Sequence, residues 1–117
     1  MKIDLFARDT QAEAFKAGQT VFKEGDLGHE MFAVIEGAVE IVIRGTVVET
    51  VEAGGVFGEM ALVEDKPRIA VAVVKSDARL VRIDRRRFTF LVQQNPFFSL
   101  QLMAVMAERL RRMNDKI

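Results

Sequence analysis

Three apolar, β-branched segments follow one another in the first half of the chain, and single glycines separate them. The segments cover residues 31–36, 39–44 and 46–52, and the separating residues are Gly37 and Gly45. In the middle segment an apolar residue recurs at every second position, which is the period of a strand with one buried face. Short strands with tight glycine turns favour a sandwich, jelly roll or barrel over a parallel α/β sheet.

Further strands are expected on both sides of these three. Residues 13–16 and 20–23 predict a small hairpin or corner. After the middle of the chain, segments 69–74 and 78–83 predict two more strands with a turn at 75–77. Segment 69–74 is apolar on both faces, as is typical of a strand covered on both sides. The fold is therefore expected to be mainly β.

The pattern changes to a helical period after residue 83. Asp84 predicts an N-cap for a helix over 85–94, and Asn95-Pro96 predicts its end, because the residue before a proline avoids helical geometry. A second helix is expected over 97–114. One apolar stripe on it holds Phe98, Leu102 and Val105, and a heptad-like seam holds Met103, Met106, Leu110, Met113 and Ile117. The stripe suits docking on the strands, and the seam suits either the core or a partner helix.

Residues 57–70 lie between the strands and concentrate the unusual chemistry of the chain. Glycines lead into the segment, and residues 59–62 are good helix formers, so a single helical turn is expected after Gly58. The start of such a turn carries unpaired N–H groups that suit an anion. Pro67 then fixes the backbone before Arg68, whose planar fork binds phosphate with two hydrogen bonds. The segment predicts an anion site.

Composition excludes several classes of function. The 17 basic and 17 acidic residues cancel, which gives no electrostatic case for direct nucleic-acid binding. No apolar run approaches the roughly 20 residues of a membrane span, and the N-terminus is not a signal peptide, so a cytoplasmic protein is expected. Half of the residues are hydrophobic, which predicts one domain over residues 1–117 with a true core.

No catalytic centre is expected. His29 is the only histidine, and cysteine is absent, so neither a metal cluster nor a cofactor is predicted. Ser76 and Ser99 have no second histidine that could activate them. The basic clusters at 85–87 and 109–112 are interpreted as solvated helix faces.

Two groups of residues resemble the cyclic nucleotide-binding domain family. Gly25-Asp26 followed by residues 31–39 resembles its strand pair. Phe57-Gly58-Glu59-Met60-Ala61-Leu62 and Pro67-Arg68-Ile69-Ala70 resemble its phosphate-binding cassette. The resemblance covers residues 13–114. It implies an eight-stranded β-roll or jelly roll over 13–84 with the cassette turn inserted at 57–70, and hinge and lid helices over 85–114. Residues 1–12 before it are expected to form a short leader with one helical turn around Leu5 and Phe6.

The resemblance also implies roles for matched positions. Glu59 would accept a hydrogen bond from the ribose 2′-hydroxyl, and Arg68 would hold the cyclic phosphate. Backbone N–H groups of the helical turn would bind ribose or phosphate. The implied ligand-binding residues are Gly58, Glu59, Met60, Ala61, Leu62, Arg68, Ile69 and Ala70, with Arg109 and Arg112 as lid contacts to the base. An alternative is that Glu59 and Arg68 only pair with each other across the pocket.

Departures from the family pattern refine the expected function. Many members have Ser or Thr where this chain has Ile69, and the loss of that hydroxyl favours cyclic AMP over cyclic GMP. The helices that precede the first strand are mostly missing, and no output segment follows the lid helix. We therefore expect a non-catalytic sensor whose ligand repositions the C-terminal helices. It would act through an effector protein or a missing output domain, with a homodimer through helix 97–117. The alternative is a β-roll interaction module that no longer binds nucleotide.

Overall fold

Two long antiparallel strands form the centre of the fold. The computed structural model describes residues 3, 6 and 11–115. In chain order its elements are β1 (Glu13–Phe15), β2 (Thr20–Phe22), β3 (Glu30–Ile43), β4 (Thr46–Glu52), β5 (Val56–Phe57), α1 (Met60–Val63), β6 (Val71–Asp84), α2 (Arg85–Gln94) and α3 (Phe97–Asp115). Strands β3 and β6 pair from Glu30↔Asp84 to Val42↔Val71. Strands β1 and β2 pair with β6, and β4 and β5 pair with β3, all antiparallel.

The strand breaks expected at Gly37 and at residues 75–77 are irregularities inside continuous strands. Strands β3 and β6 each run for 14 residues, and their register shifts between Val34 and Val39. Gly37 has φ +82°, and a Cβ there would overlap the carbonyl oxygen of Asp77 on the paired strand. Four expected strand segments thus form two strands, and the described residues contain six strands where eight were expected.

Alternation along β3 and β6 divides the interior into two hydrophobic cores. Within residues 31–34 and 80–83, odd residues such as Met31 and Ile83 belong to a helix core, so called because it also contains Phe98 of α3, whereas Val39, beyond the register shift, belongs to the other core. Even residues, among them Phe32 and Leu80, belong to a roll core between the strands. Residues 31–34 and 80–81 are therefore buried on both faces, whereas Arg82 is exposed. For residues 69–74 the sequence predicts a strand covered on both faces. The observed strand starts only at Val71, so residues 69 and 70 are not part of it.

Helix α2 has the predicted bounds, and α3 ends at Asp115, one residue later than predicted. The Asp84 side chain accepts a hydrogen bond from the Arg87 backbone N–H at 2.7 Å, and α2 ends at Gln94, just before Asn95-Pro96. In α3 the stripe of Phe98 and Leu102 is buried in the helix core, as predicted.

The seam of α3 divides between two environments. Met106 packs against the helix core, whereas Met103, Leu110 and Met113 are exposed. Ile117 lies outside the described residues.

Two described residues of the leader pack onto the helices and the sheet. The Ile3 N–H donates to the Gly54 carbonyl oxygen at 2.6 Å, and Ile3 is buried in the helix core. The Phe6 ring meets the Phe98 ring edge-on, with centroids 5.8 Å apart. A helical turn was expected around Leu5 and Phe6; Phe6 is in a 3₁₀ conformation, and Leu5 lies outside the described residues.

Candidate functional site

A cavity of about 740 Å³ opens between the sheet, the 57–70 segment and the C-terminal half of α3. Ile41 and Ile43 of β3 and Val48 of β4 form an apolar wall. The expected site residues that line the cavity are Gly58, Glu59, Met60, Ala61, Arg68, Ile69, Ala70, Arg109 and Arg112. Leu62 does not line it, because its side chain is buried in the helix core. The fold thus brings nine of the ten expected residues together.

Arg68 is held deep in the wall of this cavity. Its residue surface is 9% exposed, and its guanidinium donates to the Gly58 carbonyl oxygen at 2.8 Å and to the Glu30 carbonyl oxygen at 2.5 Å. The Phe22 ring lies under it, 4.1 Å from the ring centroid to Cζ. The Arg68 backbone N–H donates to the Asp26 carbonyl oxygen at 2.8 Å. Both the side chain and the backbone of Arg68 are therefore fixed before any ligand arrives.

The charge of Arg68 is only partly compensated. Its partners are neutral carbonyl groups, and no carboxylate forms an ion pair with it in the part of the chain that the structure describes. Among the same residues, its Nε is buried without a hydrogen-bond partner. Burial lowers the pKa of Arg68, and the more distant carboxylates of Glu30, Glu59 and Asp26 offset part of that effect. A buried, unpaired guanidinium is costly, and an anion would relieve the cost.

Glu59 is also buried, but it has a cationic partner on α3. Glu59 is 8% exposed, and its carboxylate accepts a hydrogen bond from Arg109 of α3. The alternative in which Glu59 pairs with Arg68 is not what the structure shows. The glutamate instead joins the cassette to α3.

Arg109 links three elements through its guanidinium. Its Nε lies 2.8 Å from one carboxylate oxygen of Glu49 and 3.1 Å from the other, and it also donates to Glu59 and to the Val56 carbonyl oxygen. Burial works to lower the pKa of Arg109, but the two carboxylates outweigh it and raise that pKa above its usual value. Strand β4, the cassette and α3 therefore meet at one charged side chain.

Arg112 and Ile69 lie at the exposed side of the cavity. Arg112 forms an ion pair with Glu108 one turn earlier at 2.7 Å, and Ile69 is 73% exposed. Arg112 is thus the more exposed of the two expected lid contacts, since the Arg109 side chain is largely buried.

The helical turn predicted after Gly58 is α1, and two of its N–H groups are engaged within the turn. The Ala61 N–H donates to the Gly58 carbonyl oxygen at 3.3 Å, and the Leu62 N–H donates to the Glu59 carbonyl oxygen at 3.0 Å. Because these two N–H groups already have acceptors, the side chains of Arg68 and Glu59 are the main polar groups that the cavity offers to a ligand.

Three site residues were missed by reasoning from the sequence. Phe22 stacks on Arg68, Gly28 lies against its guanidinium, and Glu49 pairs with Arg109. A signal exists for Glu49, since it is two residues before the buried Val51 and so shares its face of β4. No local signal marks Phe22 or Gly28, because their roles depend on the distant Arg68.

Two other kinds of site have no counterpart in the described ranges. No group of three or more histidine, aspartate or glutamate side chains there is arranged to hold a metal ion. Among the helices that the structure describes, none combines the length and apolar character needed to cross a membrane.

Comparison with known protein families gives one match over most of the chain. The model of the cyclic nucleotide-binding domain matches residues 12–95. The chain is also similar to the CRP-like cAMP-activated global transcriptional regulator of Mycobacterium tuberculosis, with 30% identity over 120 residues. That alignment covers 98% of this chain and 54% of the regulator.

Solved structures give the same result at the level of the fold. The Catabolite Activator Protein of Thermus thermophilus aligns with a TM-score of 0.81 and 29% identity, over 97% of this chain and 55% of that one. A structure described as cAMP-bound PfPKA-R aligns with a TM-score of 0.75 and 27% identity, over 89% of this chain and 36% of that one. These alignments confirm the expected jelly roll with C-terminal helices. This chain spans about half the length of the bacterial relatives.

Proposed function

The chain belongs to the cyclic nucleotide-binding domain family, and we propose that it is a non-catalytic sensor whose ligand is cyclic AMP. The observation that carries this proposal is Arg68, a buried guanidinium that has no carboxylate partner in the described residues and lines a 740 Å³ cavity. A cyclic phosphate carries one delocalised negative charge, which suits a guanidinium. The mycobacterial relative is described as cAMP-activated, and the aligned PfPKA-R structure as cAMP-bound.

The ribose would lie at Glu59. Its carboxylate has two oxygens and accepts from Arg109 through one of them, so it retains capacity to accept from a hydroxyl. The base would lie toward the apolar wall and α3, where Arg109 and Arg112 line the cavity. Ile69 offers no hydroxyl to a guanine amino group, which favours cyclic AMP over cyclic GMP.

Ligand binding would reposition the C-terminal helices through Arg109. This side chain ties α3 to Glu59, the same carboxylate that the ribose would use. A ligand shifts the position of α3 only by its difference in affinity for the two positions. We propose that the moved helix acts on an effector protein or an output domain, in the cytoplasm, and that α3 also forms a homodimer.

Calorimetric titration with cyclic AMP and with cyclic GMP tests the proposal. We expect measurable heat and a raised melting temperature with cyclic AMP, and weaker binding of cyclic GMP. The absence of both heat and thermal shift at millimolar cyclic AMP would overturn it.

The second candidate is an interaction module that no longer binds nucleotide. The ion pair of Glu59 with Arg109 favours it, because a carboxylate with a partner does not need a ligand. The same titration separates the two candidates.

A further inference from the structure

Gly28, in the loop between β2 and β3, lies against the side chain of Arg68. A Cβ at position 28 would lie 2.5 Å from Arg68 Nε, 2.6 Å from Nη2 and 2.8 Å from Cζ. The φ angle of Gly28 is not in the left-handed region, unlike that of Gly25 or Gly58. A glycine is therefore needed at position 28 for space rather than for backbone conformation.

The three distances identify which edge of the guanidinium faces Gly28. Because Nε and Nη2 are both nearer than Cζ, Gly28 faces the Nε–Nη2 edge of Arg68. This edge carries two parallel N–H donors and is one of the edges that can bind an anion with two hydrogen bonds. The far nitrogen, Nη1, already donates a hydrogen bond to the Gly58 carbonyl oxygen.

The donors at this edge are incompletely used. Nη2 donates to the Glu30 carbonyl oxygen, but Nε is buried and has no partner among the described residues. A charge-assisted N–H···O hydrogen bond is about 2.7–2.9 Å long. The volume that a Cβ at position 28 would fill, 2.5 Å from Nε, is thus too close to the guanidinium for any side-chain atom.

We propose that Gly28 is a positioning residue for the ligand, because the volume that its missing side chain leaves free lets the Arg68 guanidinium lie where the Gly58 and Glu30 carbonyl oxygens hold it. This inference rests on the proposed function and adds a residue from outside the cassette to it. Any side chain at position 28 would fill that volume and push the guanidinium away from the Gly58 and Glu30 carbonyls.

Gly28→Ala is a clean test of this role. The atoms that the new methyl group meets are at the far end of a flexible side chain, and the backbone conformation accepts alanine, so the variant should fold. Gly58 offers no such test, since its φ is +76° and a Cβ there would also meet Phe22 at 3.3 Å. Leu27→Ala is the matched control, because Leu27 is on the same loop and 72% exposed.

We expect Gly28→Ala to bind cyclic AMP at least about tenfold more weakly than the wild type in calorimetry, which is the effect of losing a charge-assisted hydrogen bond. Leu27→Ala should bind like the wild type. In an Arg68→Lys background, Gly28→Ala should change affinity by less than about threefold, because lysine has no guanidinium for the methyl group to displace. Nitrogen-15 spectra without ligand should show the Arg68 Nε–H signal shifted by Gly28→Ala and not by Leu27→Ala.

Each outcome decides a separate point. Wild-type affinity in Gly28→Ala, an unmoved Nε–H signal, or an equal loss in the Arg68→Lys background would overturn the role of Gly28 and leave the proposed function standing. Failure of Gly28→Ala to fold would also contradict it, because relief of the clash by the Arg68 side chain is required. Failure of the wild type to bind cyclic AMP would instead overturn the proposed function, and the role of Gly28 with it.

Discussion

Arg68 combines deep burial with neutral partners. Most buried arginines in proteins are paired with carboxylates, because a lone buried charge is strongly destabilising. Here two carbonyl oxygens and the Phe22 ring hold the guanidinium in one orientation, and its charge remains available to an anion. Orientation in advance of binding lowers the entropic cost that a ligand must meet.

We predict that Arg68→Ala weakens cyclic AMP binding by at least about 2 kcal/mol, or roughly 30-fold, because it removes charge-assisted hydrogen bonds in a buried site. Calorimetry measures the affinity, and a melting curve confirms folding. Lys66→Ala is the matched control, since Lys66 lines the same cavity but is exposed and paired with Glu64. Equal losses in both variants would mean that general positive charge, not Arg68, holds the phosphate.

Glu49→Gln should lower the free energy of unfolding by about 1–2 kcal/mol, because Arg109 loses a charged acceptor in a partly buried site. Urea denaturation measures the change. In an Arg109→Ala background the same substitution should cost much less, since its partner is gone. An equal cost in both backgrounds would show that Glu49 acts through other neighbours.

The sequence predicts the site residues within the cassette but not the residues outside it that hold their side chains in place. Gly58, Glu59 and Arg68 are adjacent to local signals: glycines, a helical turn and a proline. Gly28 acts on a residue 40 positions away, and no local pattern reports such a distance. The alternation of β4 places Glu49 on the face of Val51, but it does not identify Arg109, 60 positions away, as the partner of Glu49.

At the scale of elements, α2 shows how local signals determine bounds. Its start and end depend on Asp84 and on Asn95-Pro96, which act within a few residues, and the predicted range 85–94 is the observed one. Strands β3 and β6 show the opposite case. Gly37 and residues 75–77 have turn-like composition, but they lie opposite each other in the paired strands and form an irregular ladder there. Only the pairing distinguishes a bulge from a turn.

Asp84→Ala should destabilise the protein by about 1 kcal/mol, because it removes the side-chain acceptor for the Arg87 N–H at the start of α2. Asp84→Asn should keep most of the stability, since asparagine is an equally good N-cap. Thermal or urea unfolding measures both variants. A loss in Asp84→Asn as large as in Asp84→Ala would assign the effect to the charge of Asp84 rather than to the cap.

At the scale of the whole molecule, one face of α3 is apolar and uncovered. Leu100, Met103, Ala107 and Leu110 are exposed at spacings of 3, 4 and 3, which is the repeat of a helix that packs against another helix. The opposite face holds Phe98 and Leu102 in the helix core. The same helix can therefore close the cavity on one side and meet a second copy on the other.

We predict that the chain forms a dimer through this face of α3. Light scattering should give twice the mass of one chain at high micromolar concentration. Leu110→Glu should return the protein to a monomer, because it places like charges from the two copies at the contact between their α3 helices. Gln94→Glu, an exposed change on α2, should leave the dimer intact. A single-chain mass at every concentration would contradict the homodimer while leaving ligand binding untouched.

The ring of Phe22 beneath Arg68 has an optical consequence. The chain contains neither tryptophan nor tyrosine, so it has almost no absorption near 280 nm and no tryptophan emission. Phe22→Trp would create a single fluorophore at the wall of the cavity, where a guanidinium now lies 4.1 Å from the ring centre. Because no other residue contributes tryptophan fluorescence, a change in its emission would report only events at that wall.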